Sequence, residues 1–445
     1  MIGRFTGRTM PDRQITTAPH GHVLTNVGVW SPDSRWIVYD TRSTADGGVF
    51  DGSRIERVDV ETGRVEVLYE SRQGACCGVV TCSPIDDRVV FIVGPERPTP
   101  EWSYGPARRQ GMVVHAGRPG VAEPLDARDL VPPFTPGALR GGSHVHVFSP
   151  DATAVSFTYE DAVLEAAEGR GAERSLRGVG VSVCGRPVAV PRSHPRNHHG
   201  SAFSVLVTRL RDDPQPGSDE ISRGCEEGWI GSRGYRRADG SWQRWALAVQ
   251  GTVRSAAGAE VAEVFAVDLP DDLQGLAALT AEPIAGTPST RPVPPRGVGQ
   301  RRLTFTADRR HPGIAGPRHW LRSSPDGERI AFLMRDDAGV AHLFTVSPRG
   351  GDIAQLTRGP GVASAFTWMP DGGSIACVID GRVGLVAADS GRFRPLTEPV
   401  SGDPAVRPEA CVCSPDGRRV AFVRRLPGPD GRPHNQVCVV DTGVG

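Results

Sequence analysis

The residues able to do chemistry in this chain sit at one repeated place. A Ser-Pro-Asp phrase recurs at Ser31, Ser149, Ser324 and Ser414, with Met369-Pro370-Asp371 and the degenerate Ser83-Pro84-Ile85 as further copies. Five positions before these stand Asn26, Gly78, His144, His319, Ser364 and Glu409. The next position is apolar every time: Val27, Val79, Val145, Trp320, Ala365 and Ala410. His20, His22, His146, His194, His198, His199 and His311 lie close by, so nine of the twelve histidines fall in these segments. Imidazoles and a carboxylate gathered about one point suit a divalent metal (Mn, Fe, Ni or Zn) or an anionic ligand. His144 and His146 stand two apart, which in a strand places them on one face. A second group is Gly217-Ser218-Asp219-Glu220 followed by Cys225-Glu226-Glu227-Gly228-Trp229, read as a lid or contact loop.

The elements that would bring these residues together are strands. After each Ser-Pro-Asp comes an alternating apolar run, such as Trp36-Ile37-Val38-Tyr39 or Ile330-Ala331-Phe332. Pro presets φ and Asp-Gly supplies the reversal, so each copy is a hairpin. Hairpins spaced at about 45 residues are the mark of propeller blades. Each blade needs four strands, and outer ones are expected at Ile15, Leu68, Leu125, Val188, Leu303, Leu356 and Leu396. The expectation is an all-β, seven-bladed β-propeller over residues 13–445, with residues 1–12 as an extension. The third strand Val437-Cys438-Val439-Val440-Asp441 has no outer strand after it, while Arg13-Gln14-Ile15-Thr16 has no blade before it. The two should pair and remove both open edges. Blade four is expected to start at Phe203–Thr208 and to carry an insert at 209–243, with a Pro-rich loop at 270–300. Eight blades result if the insert hides a strand.

On this reading the inner strands line a central channel. The polar ring of Asn26, Ser364, Glu409 and the histidines faces the axis at the mouth where the inner strands begin, as a ligand-binding set. The apolar neighbours pack between blades.

Composition excludes several alternatives. The 51 basic and 51 acidic residues cancel, so no global field draws nucleic acid or an anionic membrane. All basic side chains are Arg, which removes phosphate-loop, Schiff-base and Ser-Lys chemistries. No G-x-S-x-G, H-E-x-x-H or C-x-x-C is present, and no peptidase domain is seen after the propeller. The Arg-containing first 13 residues lack an apolar signal core, and no 18-residue apolar run appears. The expected setting is cytoplasmic with reduced thiols.

The Ser-Pro-Asp-Gly phrase with Leu-Thr outer strands resembles the TolB-type (PD40, WD40-like) propeller repeat. The phrases Leu139-Arg140-Gly141-Gly142-Ser143-His144-Val145-His146 and Pro214-Gln215-Pro216-Gly217-Ser218-Asp219-Glu220-Ile221 are similar to the bacterial family DUF3748. A looser resemblance is to the oligogalacturonate lyases, seven-bladed propellers holding a divalent metal on axial histidines. That resemblance implies His144, His146, His198 and His319 as metal ligands, with Arg140 or Arg318 gripping a substrate carboxylate. Two functions stay open: a small-molecule or oligosaccharide site at the channel mouth, and a non-enzymatic scaffold that holds a protein on the propeller face.

Overall fold

A computed structural model describes residues 10–25, 27–277, 283–317, 320–399, 406–409 and 411–443. Seven four-stranded antiparallel sheets follow one another as the blades of a propeller. Blade one is Gly21–Val23, Trp36–Arg42, Arg54–Asp59 and Val65–Glu70. Blade two is Cys77–Cys82, Arg88–Val93, Gln110–His115 and Ala122–Pro124, and blade three is Gly141–Phe148, Ala154–Asp161, Gly178–Val188 and Gly200–Leu206. Blades five and six begin at Arg322–Ser323 and Thr367–Trp368. Blade seven contains Val412–Cys413, Arg419–Pro427 and Pro433–Asp441, and its outermost strand is Arg13–Gln14 from the other end of the chain. Arg13 pairs with Val439 and Gln14 with Cys438, so the ring closes as the sequence predicts.

Where it occurs, the Ser-Pro-Asp phrase builds the first turn of the blade by side-chain bonding. The Ser hydroxyl donates to the Asp carboxylate, at 2.8 Å for Ser149–Asp151 and 2.6 Å for Ser414–Asp416. The same oxygen accepts the first amide of the second strand, from Ala154 and Arg419, at 3.0 Å each. The fourth turn position is left-handed, with φ of +74° at Gly327, +70° at Gly372 and +71° at Gly417. Glycine is favoured there because it has no Cβ to clash.

Each blade is covered on both faces by its neighbours, so second strands are apolar on both faces, with Val89–Val93 buried throughout. One cluster joins Trp30, Ile37 and Val58 of blade one to Val80 and Phe91 of blade two and to Val423 and Val437 of blade seven. No helix among the described residues is long and apolar enough to cross a membrane.

Blade four departs from the sequence expectation. Gly200–Leu206, expected to open it, pairs instead with Gly178–Val188 as the outer strand of blade three. Val188, expected on that outer strand, lies on the third. The inner strand of blade four is Ile221–Trp229, inside the stretch 209–243 expected as an insert. The true insertion is a hairpin of Tyr235–Arg236 and Trp242–Gln243 before the second strand, Ala246–Arg254. The hidden strand does not add an eighth blade, because the strand it displaces completes blade three. The cause is local: Ile230-Gly231-Ser232 replaces the Ser-Pro-Asp phrase, so the recurring cue is missing at this one turn.

Candidate functional site on the propeller axis

The inner strands of blades two, three and four share a bulge that decides what faces the axis. Val79, Val145 and Glu226 have φ of +56°, +57° and +55°, each where the register with the second strand shifts. A left-handed β-branched residue is a true backbone outlier, and a bulge re-aims the side chains around it. Val79 and Val145 pack with Trp320 of blade five and Ile92 in one buried cluster, with Phe50 against it. Residues of blades two, three and five meet there across the ring. The apolar position, expected between blades, therefore plugs the axis, and Glu226 is its counterpart on blade four.

On the turn side of this plug lies a cavity of about 330 Å³ lined by the inner strands of all seven blades. Its walls include Thr81, Phe148, Trp229, Trp368 and Cys413, with Glu227 and Arg322 as the charged groups. Glu227 is fully buried. Its Oε2 accepts Thr158 Oγ1 at 3.1 Å, while Oε1 has no hydrogen-bond partner. Burial, helped by the charge of Glu226, pushes its carboxyl up to about 8, so it holds a proton at neutral pH. Arg322 stacks over Trp320 at 5.0 Å and donates from Nη1 to Leu321 O at 2.7 Å. Its Nε is buried without a partner, and burial lowers the guanidinium to about 10 against the opposing pull of Glu226 and Glu227. Arg322 is thus the cation on the cavity wall, while Glu227 has no exposed surface there and turns to Thr158 of blade three, as His146 turns into its own seam. Such a cavity suits a small molecule with a carboxylate and hydroxyls.

Three arginines crowd His144 on the strand-start side of the plug. His144 is half-buried, and burial together with Arg109, Arg177 and Arg42 holds its imidazole well below the ordinary value. Arg42 pairs with buried Asp40, and Arg177 donates to Glu160 at 2.6 Å. Arg109 donates to the Tyr104 hydroxyl at 3.1 Å, and no carboxylate pairs with it among the described residues.

Several expected site residues do other work. The bulge separates His144 from His146, whose ring turns into the seam with blade two. His146 Nε2 lies 2.6 Å from where a Cβ on Gly111 would stand and 3.9 Å from the Asp126 carboxylate. His198 precedes the outer strand of blade three and bonds through Nδ1 to His199 O at 3.2 Å. Arg140 is buried and grips Asp161, with Thr290 O at 3.0 Å and Thr287 O as further acceptors. It therefore anchors the Pro-rich loop rather than facing the channel. Ser364 Oγ is consumed within blade six, accepting Val378 N at 2.9 Å and donating to Ala365 O at 2.7 Å. Glu409 is half-buried, 3.8 Å from Arg407, with Oε2 unpartnered. Asn26, Arg318 and His319 lie outside the described residues. Among those described, His144, His146 and His198 do not come together as metal ligands; the one group of three is His20, His22 and Glu56.

Glu227 and Arg322 escaped the first reading for different reasons. Glu227 sat in a segment taken for a lid, although Trp229 occupies the position that Trp30 and Trp368 hold before their turns. Arg322 lies three residues beyond the expected polar ring, and no pattern in its own blade marks it.

Architecture and axial cavity define a seven-bladed β-propeller with a largely buried guanidinium on the wall of its central cavity. The chain belongs to the family described as Protein of unknown function (DUF3748), whose model matches residues 76–198. It is 46% identical over 413 residues to the uncharacterized protein YidR of Escherichia coli (strain K12), covering 92% of this chain and 94% of that one. Among solved structures, an oligogalacturonate lyase in complex with manganese matches with a TM-score of 0.51 at 12% identity, over 98% of this chain and 97% of that one. TolB from Acinetobacter baumannii matches with a TM-score of 0.35 at 12% identity, over 93% and 83%. At 12% identity the likeness to the lyase is one of fold alone.

Proposed function

We propose that the protein binds a small carboxylated sugar in the axial cavity on the turn side of the propeller. The observation that carries this reading is Arg322, on the wall of a cavity lined by all seven blades, with its Nε free of any hydrogen-bond partner. Arg322 supplies a charge-assisted bond to the ligand carboxylate. The aromatic walls, Trp229, Trp368 and Phe148, supply apolar faces against which a sugar ring packs. The fold neighbour that acts on oligogalacturonate is named for an acidic sugar, the ligand class these groups fit.

Calorimetric titration with galacturonate and its short oligomers, against galactose oligomers as neutral controls, tests the proposal. Acidic sugars should bind, and Arg322→Gln should weaken binding at least tenfold. The ultraviolet absorbance of unsaturated uronates, followed in the same samples, reports any elimination. Equal affinity for neutral and acidic sugars, or no binding of either, overturns the reading.

A further inference from the structure

We infer that His20, His22 and Glu56 form a divalent transition-metal site, of the kind zinc occupies, at the seam between the first and last blades. One ligand atom from each of the three lies within 4.8 Å of the others. Ligands held at 2.0–2.1 Å in a tetrahedral shell are about 3.4 Å apart, so the three need to draw in by roughly 1 Å. Two imidazoles and a carboxylate are a donor set for zinc and its first-row neighbours, with a remaining position for water.

The surroundings already resemble an outer ligand shell. His22 is fully buried, and its Nδ1 lies 2.8 Å from Asn435 O. A carbonyl only accepts, so the ring proton sits on Nδ1 and the lone pair of Nε2 points elsewhere. That Nε2 is buried and has no hydrogen-bond partner. An imidazole fixed by a backbone carbonyl, with its other nitrogen free to ligate, is how metal-binding histidines are commonly held. His20 stacks on His22 with ring centroids 4.5 Å apart, and its Nδ1 is likewise buried and unpartnered. Glu56 is 4% exposed, and its Oε2 accepts the Tyr39 hydroxyl at 2.9 Å, which orients the carboxylate. Two buried ring nitrogens without hydrogen-bond partners are costly unless something fills the space between them.

The location gives the ion a structural role. Asn435 belongs to the third strand of blade seven, while His20 and His22 follow the N-terminal strand that closes this blade. Thr16 Oγ1 donates to Gln436 Oε1 at 2.8 Å and Gln436 Nε2 to Ala18 O at 2.9 Å, so the same segment is already tied across the closure. A metal on His20, His22 and Glu56 adds a bond between this segment and the third strand of blade one. The inference does not depend on the axial cavity.

The full chain, stripped with a chelator and dialysed against excess zinc and then metal-free buffer, should retain one zinc per chain by elemental analysis. Cobalt(II) in its place should give visible d–d absorption. His20→Ala, at a half-buried position where folding is least at risk, should lose the bound ion, as should Glu56→Gln. Exposed-site His115→Ala and channel variant Arg322→Gln should keep it. Restoring zinc to the stripped wild-type protein should raise its thermal unfolding midpoint, and His20→Ala should show no such rise. The inference fails if stripped wild-type protein retains no zinc and its midpoint is indifferent to it, or if His20→Ala binds as much as wild type.

Discussion

Trp30 Nε1 donates to the carbonyl of Val412 at 3.0 Å, joining the first blade to the last across 382 residues of sequence. The same rung recurs inside the ring, where Trp229 reaches Val147 O at 3.1 Å and Trp368 reaches Arg322 O at 2.9 Å. Each indole sits just before a first turn and bonds the inner strand of the preceding blade. Trp30→Phe keeps an aromatic ring but strands a buried carbonyl, costing about 1–3 kcal/mol. Urea unfolding should show a lower midpoint with unchanged slope, and Trp368→Phe should lose a similar amount. An unchanged midpoint for Trp30→Phe would mean the rung contributes nothing to closure.

Glu227 makes the protein's stability depend on pH. Its carboxyl is raised from an ordinary 4.5 to about 8 in the folded state. The folded chain therefore binds more protons than the unfolded one between these limits, and stability falls as pH rises through them. Below 4.5 the contribution is fully present, and above 8 it is lost. The limiting slope is about 1.4 kcal/mol per pH unit from this one group. Glu227→Gln removes that component, so the variant should gain on wild type steadily from pH 4.5 to pH 8 in denaturant titrations. Parallel profiles for the two proteins would contradict the assignment.

Arg140 is predicted to be structural. Replacing it with Met leaves the Asp161 carboxylate buried without its cation and frees the carbonyls of Thr287 and Thr290. Breaking a buried pair on one side costs about 3–5 kcal/mol. Thermal unfolding of Arg140→Met should show that loss, with proteolysis beginning in the Pro-rich loop after 283. Were Arg140 a substrate clamp instead, the variant would keep its stability and lose affinity.

The turns offer a milder test. Gly417 has φ of +71°, and a Cβ there would make only ordinary contacts, with Met369 Cε at 3.5 Å and Pro370 Cδ and Cγ at 3.7 and 3.9 Å. The cost of Gly417→Ala is then backbone strain alone, about 1–2 kcal/mol. Ala152 occupies the equivalent position of blade three at φ +53° and already carries that strain. A loss at Gly417 well outside this range, measured by chemical denaturation, would point to packing rather than backbone conformation.

The repeat of Ser-Pro-Asp turns and apolar strands by itself determined the propeller, its seven blades and the pairing of Arg13–Gln14 with the tail. These follow from local rules, since turn chemistry and strand alternation are written in neighbouring residues. The occupants of the axis were decided only in three dimensions. Left-handed bulges at Val79 and Val145 rotate a valine inward where the sequence pattern placed Gly78 and His144, and the second sends His146 into a seam. Arg140 looked exposed to the channel until Asp161 and a loop some 150 residues away closed over it. Arg322 shares a cavity wall with the inner strands of the six other blades, and Glu56 stands beside His20 and His22, only because closing a ring of sheets sets distant residues side by side. Sequence spacing carries no term for that contact.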